Sequence, residues 1–188
     1  MSRTPRLFVV SGPSGVGKGT LLARVRELRS DLGLTVSATT REPRPGETDG
    51  VSYHFLTEEE FDRRVAAGDF LEWACVHGHK YGTLRSEVER NLSAGRSVIL
   101  EIDVQGALNV RRVFPDAVLV FILPPSMEVL ESRLRGRGTE AEADLELRLA
   151  DAAGEIELAD EYDERIVNDD LERAVGQFCT MLDAHETN

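Results

Sequence analysis

The sequence predicts an α/β fold: a three-layer core with helices on both faces of a parallel sheet, an inserted lobe and a small lid. Three mostly apolar runs, at 7–10, 97–103 and 117–123, are typical of buried parallel strands, and a helical pattern follows each. The polar stretch 39–52, with two prolines and two glycines, interrupts this alternation. We therefore expect one domain over 1–188, with its core at 1–36, 85–135 and 160–188, a lobe at 37–84 and a lid at 136–159.

The first half of the chain alternates short strands with helices. We expect a strand at 7–10, a helix over 17–30 that stops near Gly33, and short strands at 34–38 and 53–56. Thr57 and Glu60 form a capping box that opens a helix ending at Gly68. The run 70–76 predicts another strand, with a turn at 77–79.

The second half returns the chain to the main sheet. Leu84, Val88 and Leu92 recur at helical spacing and stop at Gly95. A helix at about 106–114 separates strands 97–103 and 117–123, and another helix follows Ser126. A strand at 166–168 and a helix over 171–182 close the chain. Between them lies an acidic helix whose buried stripe consists of Leu145, Leu149, Ala152, Ile156 and Ala159.

Composition narrows the class of partner. The net charge is −12 and the isoelectric point about 4.8, which weighs against a nucleic-acid surface, because neutralising phosphates requires a basic face. No apolar run is long enough to cross a membrane and no signal-peptide core is present, so we expect a cytoplasmic protein without membrane contact. Cys75 and Cys179 lack metal or redox spacing and are expected to be reduced thiols.

A glycine loop between the first strand and helix predicts a phosphate site. Its glycines let backbone N–H groups turn toward phosphate oxygens, and the lysine reaches the outer phosphates. The start of the helix adds unpaired amides and the positive end of its dipole. Gly19 stands where the general pattern has Ser or Thr, which argues against a direct magnesium ligand there. The loop consists of Gly12, Pro13, Ser14, Gly15, Val16, Gly17, Lys18, Gly19 and Thr20.

Arginines mark two further regions. Arg133, Arg135 and Arg137 lie in a glycine-flanked segment, and Arg148 falls at the border of the acidic helix's buried stripe. Such arginines suit a lid that stabilises a transferring phosphoryl group; the alternative is surface pairing with nearby glutamates. In the lobe, a second set could bind another phosphate, which suggests a donor and an acceptor. This set consists of Arg41, Arg44, Tyr53 and Tyr81.

Beyond the loop, an ordered set of motifs resembles guanylate kinase over nearly the whole chain. A phosphate loop alone is shared by many enzyme classes, whereas this set is specific. It comprises SATTR at 37–41, RPGE at 44–47, Gly50, Tyr53, FLEWA at 70–74, YGT at 81–83, EIDVQG at 101–106, GRGTE at 136–140 and IVNDD at 166–170.

The resemblance implies a P-loop NTPase core with a GMP-binding lobe. It assigns the phosphate of GMP to Ser37, Arg41, Arg44, Tyr53 and Tyr81, and the base to Glu72 and Thr83, with Glu101 and Asp103 nearby. One carboxylate such as Glu72 can accept from both N1–H and the N2 amine of guanine, whereas adenine would leave it unpaired.

For the donor side, the resemblance places Lys18, Arg137 and Arg148 in catalysis and Arg133 and Asn168 near the adenine of ATP. We expect Mg²⁺ to be held by nucleotide oxygens and water, with no direct side-chain ligand and Asp103 in its outer shell.

The sequence therefore predicts phosphorylation of GMP and dGMP by ATP through direct in-line transfer. Two alternatives remain: a non-catalytic phosphopeptide-binding module of the same fold, and a related kinase acting on another small phosphate ester. The binding module is disfavoured because the phosphate loop is intact and the lid arginines are present. The other kinase is disfavoured by Glu72 and Thr83, which stand where guanine contacts are expected. The sequence leaves monomer and homo-oligomer undecided.

Overall fold

The structure is a computed structural model that describes residues 3–76, 78–136 and 142–187, with only the backbone described for 142–144. Eight strands and seven helices are described in these ranges. The strands are β1 (Leu7–Ser11), β2 (Ala38–Thr39), β3 (His54–Phe55), β4 (Phe70–Val76), β5 (His79–Leu84), β6 (Val98–Glu101), β7 (Val118–Leu123) and β8 (Glu164–Val167). The helices are α1 (Lys18–Leu28), α2 (Glu58–Ala67), α3 (Arg85–Ser93), α4 (Val104–Val113), α5 (Met127–Arg135), α6 (Glu142–Glu157) and α7 (Leu171–Thr187).

The main sheet is parallel throughout, with strand order β6-β1-β7-β8. Alternate residues of β1 enter different cores: Phe8 and Val10 pack with α1, α5, α6 and α7, whereas Leu7 and Val9 pack with α3 and α4. This period of two places helices on both faces of the sheet, so the predicted three-layer α/β core is confirmed.

A second sheet, built from residues 38–84, has the order β3-β2-β5-β4. β2 is parallel to β3 and antiparallel to β5, which pairs antiparallel with β4. A separate small core of Ala38, Phe61, Phe70 and Leu84 joins this sheet to α2, with the rings of Phe61 and Phe70 stacked at 4.4 Å. β4 also packs against α4 of the main core.

Several predicted boundaries are wrong. The strand expected at 34–38 overlaps β2 only at Ala38, because side chains take the backbone groups that a strand would pair: Asn91 donates to the carbonyl of Leu34, and Val36 N–H donates to Glu87. The strand expected to end at 103 ends at Glu101. Asp103 instead caps α4 by accepting from the N–H of Gly106 at 2.6 Å.

None of the helices in the described part of the chain is both long and apolar enough to span a bilayer.

Candidate active site

The glycine loop joins β1 to α1 and depends on backbone that only glycine tolerates. Gly12 has φ +148°, and a Cβ there would lie 2.4 Å from the carbonyl oxygen of Ile122. Gly17 caps α1 with φ +95°, and a Cβ there would meet Asn168 Nδ2 at 2.7 Å. The loop backbone therefore packs directly against β7 and Asn168, a close approach that a side chain at either position would prevent.

A cavity of about 240 Å³, which we call the loop cavity, opens at this turn. Lys18 Nζ donates to the carbonyl oxygens of Gly12 and Pro13, the latter at 3.3 Å. Burial lowers the pKa of Lys18, and nearby carboxylates of Glu101, Glu155 and Asp103 oppose that shift. The lining residues are Pro13, Ser14, Gly15, Gly17, Lys18, Gly19, Thr20 and Glu101.

Arg133 and Asn168 support the loop from outside the cavity. Both donate to the carbonyl of Val16: the Asn168 amide at 2.8 Å and the Arg133 guanidinium at 3.2 Å. Arg133 also donates to the carbonyl of Asn168 at 2.9 Å. Val16 itself is fully buried. These contacts fix the loop conformation; whether the two side chains also lie against adenine stays a prediction.

A second cavity of about 240 Å³, the lobe cavity, lies between the two sheets. Glu72 on β4 accepts from the Thr83 hydroxyl at 2.7 Å. Burial raises the pKa of Glu72; the Thr83 hydrogen bond opposes the rise and the Asp103 charge adds to it. The lining residues are Ser37, Tyr53, Glu72, Ala74, Tyr81, Gly82, Thr83, Glu101, Ile102 and Asp103.

The two lobe arginines lie beside this cavity rather than in its lining. Arg41 packs over the ring of Tyr53, 5.5 Å from its centroid, and pairs with Glu47 at 2.8 Å. Arg44 is exposed, and its N–H donates to the same Glu47 carboxylate at 2.7 Å. Tyr53 and Tyr81 meet edge to face and both line the cavity. Glu47 thus holds the arginine segment next to the tyrosines.

Glu101 lines both cavities. It ends β6 and pairs in register with Val10 of β1, so it stands directly beside the start of the loop. Asp103, two residues on, faces the lobe cavity. Two ligands, one in each cavity, would therefore be separated from each other by little more than the end of β6.

The chain was compared with known proteins. A model of the family described as Guanylate kinase matches residues 4–185. The chain belongs to the guanylate kinase family. The guanylate kinase of Gloeobacter violaceus is 56% identical over 177 residues, covering 94% of this chain and 86% of the relative. That of Synechococcus sp. strain CC9902 is 51% identical over 182 residues and 97% of both chains. The crystal structure of guanylate kinase from Anaplasma phagocytophilum has a TM-score of 0.72 and 34% identity, covering 100% of this chain and 89% of the other. The resemblance expected from the motifs is confirmed.

Among the family's expected lid arginines, Arg137 lies outside the described residues. Arg148 is half-buried on α6. Two groups near the site were missed by the sequence reasoning. Glu155 lies two turns after Arg148 on α6, so the helical wheel could have indicated it. Tyr162 follows the turn of 3-10 helix at Leu158–Glu161, and no periodic signal marks it.

Proposed function

We propose that this chain transfers the γ-phosphoryl group of ATP to GMP or dGMP by direct in-line attack. Membership of the guanylate kinase family supports the enzyme class: a nucleoside monophosphate kinase that phosphorylates GMP. The geometric observation that supports it is the position of Glu101, which lines the loop cavity and the lobe cavity at once. Donor and acceptor in these cavities would meet across one strand end, as phosphoryl transfer requires.

On the donor side, the loop amides and Lys18 would bind the phosphates of ATP. Lys18 Nζ now donates to two loop carbonyls, and anionic phosphate oxygens are stronger acceptors for an ammonium group. We assign Arg133 and Asn168 to the adenine end of this site. Their bonds to the Val16 carbonyl keep the loop in the shape that phosphates need.

On the acceptor side, Glu72 and Thr83 would read guanine. Glu72 Oε1 is occupied by the Thr83 hydroxyl, which fixes the carboxylate plane and directs its remaining acceptor positions into the cavity. We assign the GMP phosphate to Ser37, Tyr53 and Tyr81 together with Arg41 and Arg44. Because Glu47 already pairs with Arg41, the incoming phosphate would join or replace that carboxylate as a partner.

The transfer step needs positioning and charge rather than a base. We assign Arg148 and Arg137 to the charge that spreads over the transferring group. Mg²⁺ would arrive with ATP as part of the substrate and neutralise phosphate charge. Oxygen donors beside the loop fit such an ion: the Thr20 hydroxyl and the Glu101 carboxylate line the loop cavity, and Asp103 lies close by for an outer-shell role. We expect nucleotide oxygens and water to supply the inner shell of this ion, with no direct side-chain ligand.

The remaining assignments are part of the same proposal. We place the acceptor-binding lobe at 37–84, the lid at 136–159 and the rest of the chain in the core. A cytoplasmic location stays a prediction, as does the absence of nucleic-acid and membrane partners.

The test is turnover of a panel of monophosphates, GMP, dGMP, AMP, UMP and CMP, with ATP and Mg²⁺. We expect GMP and dGMP to be phosphorylated far faster than the others. Lys18→Ala should abolish turnover, whereas Lys80→Ala is the matched control, because Lys80 pairs with Glu58 and Asp62 on the lobe surface. Preference for AMP would contradict the assignment of Glu72, and full activity of Lys18→Ala would contradict the donor site.

A further inference from the structure

Tyr162 carries a buried hydroxyl. The residue is only 5% exposed. Its ring packs edge to face on that of Phe121, with 5.0 Å between the ring centroids. Within the described residues, its Oη makes no hydrogen bond of ordinary geometry, although the Ser11 hydroxyl lies close enough to interact with it. An unpaired buried hydroxyl destabilises the folded state, and a phenylalanine would fill the same space without that penalty.

The hydroxyl lies close to Ser11, the last residue of β1. The Ser11 hydroxyl itself donates to the carbonyl of Asp103 at 3.2 Å. Burial raises the pKa of Tyr162 to about 12; the Ser11 hydroxyl opposes this rise, and the charges of Asp103 and Glu155 add to it. The phenol therefore keeps its proton and is available as a donor to a carboxylate.

We propose that Tyr162 is a positioning residue of the transfer reaction: its hydroxyl makes no well-formed hydrogen bond in the ligand-free protein and donates to the Asp103 carboxylate once both nucleotides are bound. This inference rests on the proposed function. One oxygen of Asp103 is fixed by the N–H of Gly106, so the other is left for a second donor. Asp103 lines the lobe cavity and lies in the field of Lys18, so its orientation bears on both substrates.

Charge supplies the reason for the change. In the ligand-free protein the Lys18 cation attracts Asp103. When Lys18 turns to phosphate oxygens, Asp103 loses part of that attraction and gains repulsion from the phosphates, whose charge the accompanying Mg²⁺ neutralises only in part. A neutral donor then stabilises the carboxylate more than before. Tyr162 also ends the 3-10 turn that continues α6, the helix of Arg148, so movement of that helix would reach this hydroxyl directly.

The experiment is Tyr162→Phe, which removes the hydroxyl and keeps the ring. We expect a higher melting temperature for the ligand-free variant than for the wild type. We expect kcat to fall about tenfold, the size of one hydrogen bond to a charged group, with KM for ATP and GMP changed by less than about twofold. In an Asp103→Asn background, Tyr162→Phe should cause no further loss, because the acceptor charge is already gone.

The control is Phe121→Leu, which loosens the packing around the same ring and keeps the hydroxyl. It should lower the melting temperature and leave kcat near the wild-type value. A lower melting temperature for Tyr162→Phe, an unchanged kcat, or an equal loss in the Asp103→Asn background would each overturn the inference. Wild-type turnover of GMP in the same assay separates the two claims: an inactive wild type removes the proposed function and this role together, whereas an active wild type matched by Tyr162→Phe removes only this role.

Discussion

Replacing Glu72 by Gln tests base recognition with one atom changed. The carboxylate can accept from both N1–H and the N2 amine of guanine, whereas an amide offers one oxygen and presents its own N–H₂ group to the second donor. A hydrogen bond to a charged group contributes about 1.5–3 kcal/mol, so kcat/KM for GMP should fall about 10- to 100-fold. The same change removes the mismatch with adenine, so the preference for GMP over AMP should narrow.

The same substitution should stabilise the ligand-free protein. Burial raises the pKa of Glu72 above its ordinary value, so the folded state binds a proton more readily than the unfolded chain. Above the raised pKa, the charged carboxylate therefore reduces the free energy of unfolding. Glu72→Gln should melt at a higher temperature than the wild type at pH 8. This difference should shrink as the pH falls through the raised pKa, where wild-type Glu72 also becomes neutral.

Steady-state kinetics with GMP and AMP at several pH values measure the effect of this substitution on base recognition. In the wild type, KM for GMP should rise as the pH falls through the pKa of Glu72, and in Glu72→Gln this dependence should be absent. Glu59→Gln is the matched control, since Glu59 is exposed on α2 and the substitution changes the same charge. Wild-type GMP kinetics in Glu72→Gln, or an equal loss in Glu59→Gln, would refute the assignment of Glu72 to the base.

Three further substitutions test the supports of the site. Gly12→Ala should destabilise the protein by about 2–4 kcal/mol and raise KM for ATP, because of its positive φ and the close carbonyl oxygen. Gly19→Ala is the control for stability: with no protein atom within 4 Å of the added methyl group, its melting temperature should be equal to or slightly above that of the wild type. Glu186→Gln should lower the free energy of unfolding, measured by chemical denaturation, by about 2–4 kcal/mol, because it breaks a buried pair with Arg29 at 2.8 Å. Two other carboxylates still contact that arginine, and KM values should not change. Arg133→Met should raise KM for ATP about tenfold and leave KM for GMP unchanged, because the loop carbonyl loses one of its donors.

Local patterns predicted much of the fold. The apolar runs gave the main strands because a buried parallel strand shows its character in four to six consecutive residues. The glycine loop was equally local, since its glycines, lysine and flanking elements are contiguous. Where a strand depends on partners far along the chain, the sequence was less informative: β2 is only two residues long because Asn91 and Glu87 bind the backbone that precedes it.

The site contacts that sequence could not reveal are long-range polar ones. Asn168 was expected near adenine, and the structure shows its amide on the Val16 carbonyl, 152 positions away. Tyr162 makes no hydrogen bond of ordinary geometry among the described residues, and the Ser11 hydroxyl that lies near it is 151 positions away in the sequence, so no local pattern indicates it. Such contacts depend on how the whole core packs. A sequence motif, in contrast, gives information only about residues that are close together in the chain.

Chain connectivity explains why the two cavities face each other. The second sheet is inserted after α1, and α3 then returns the chain directly into β6, the strand next to β1. Since β6 and β1 are parallel, Glu101 at the carboxyl end of β6 must lie beside the start of the glycine loop. The lobe is further held in place because β4 packs on α4, the helix that Asp103 caps. The order of strands in the main sheet, rather than attraction between the charged groups, therefore sets the distance across which a phosphoryl group would pass.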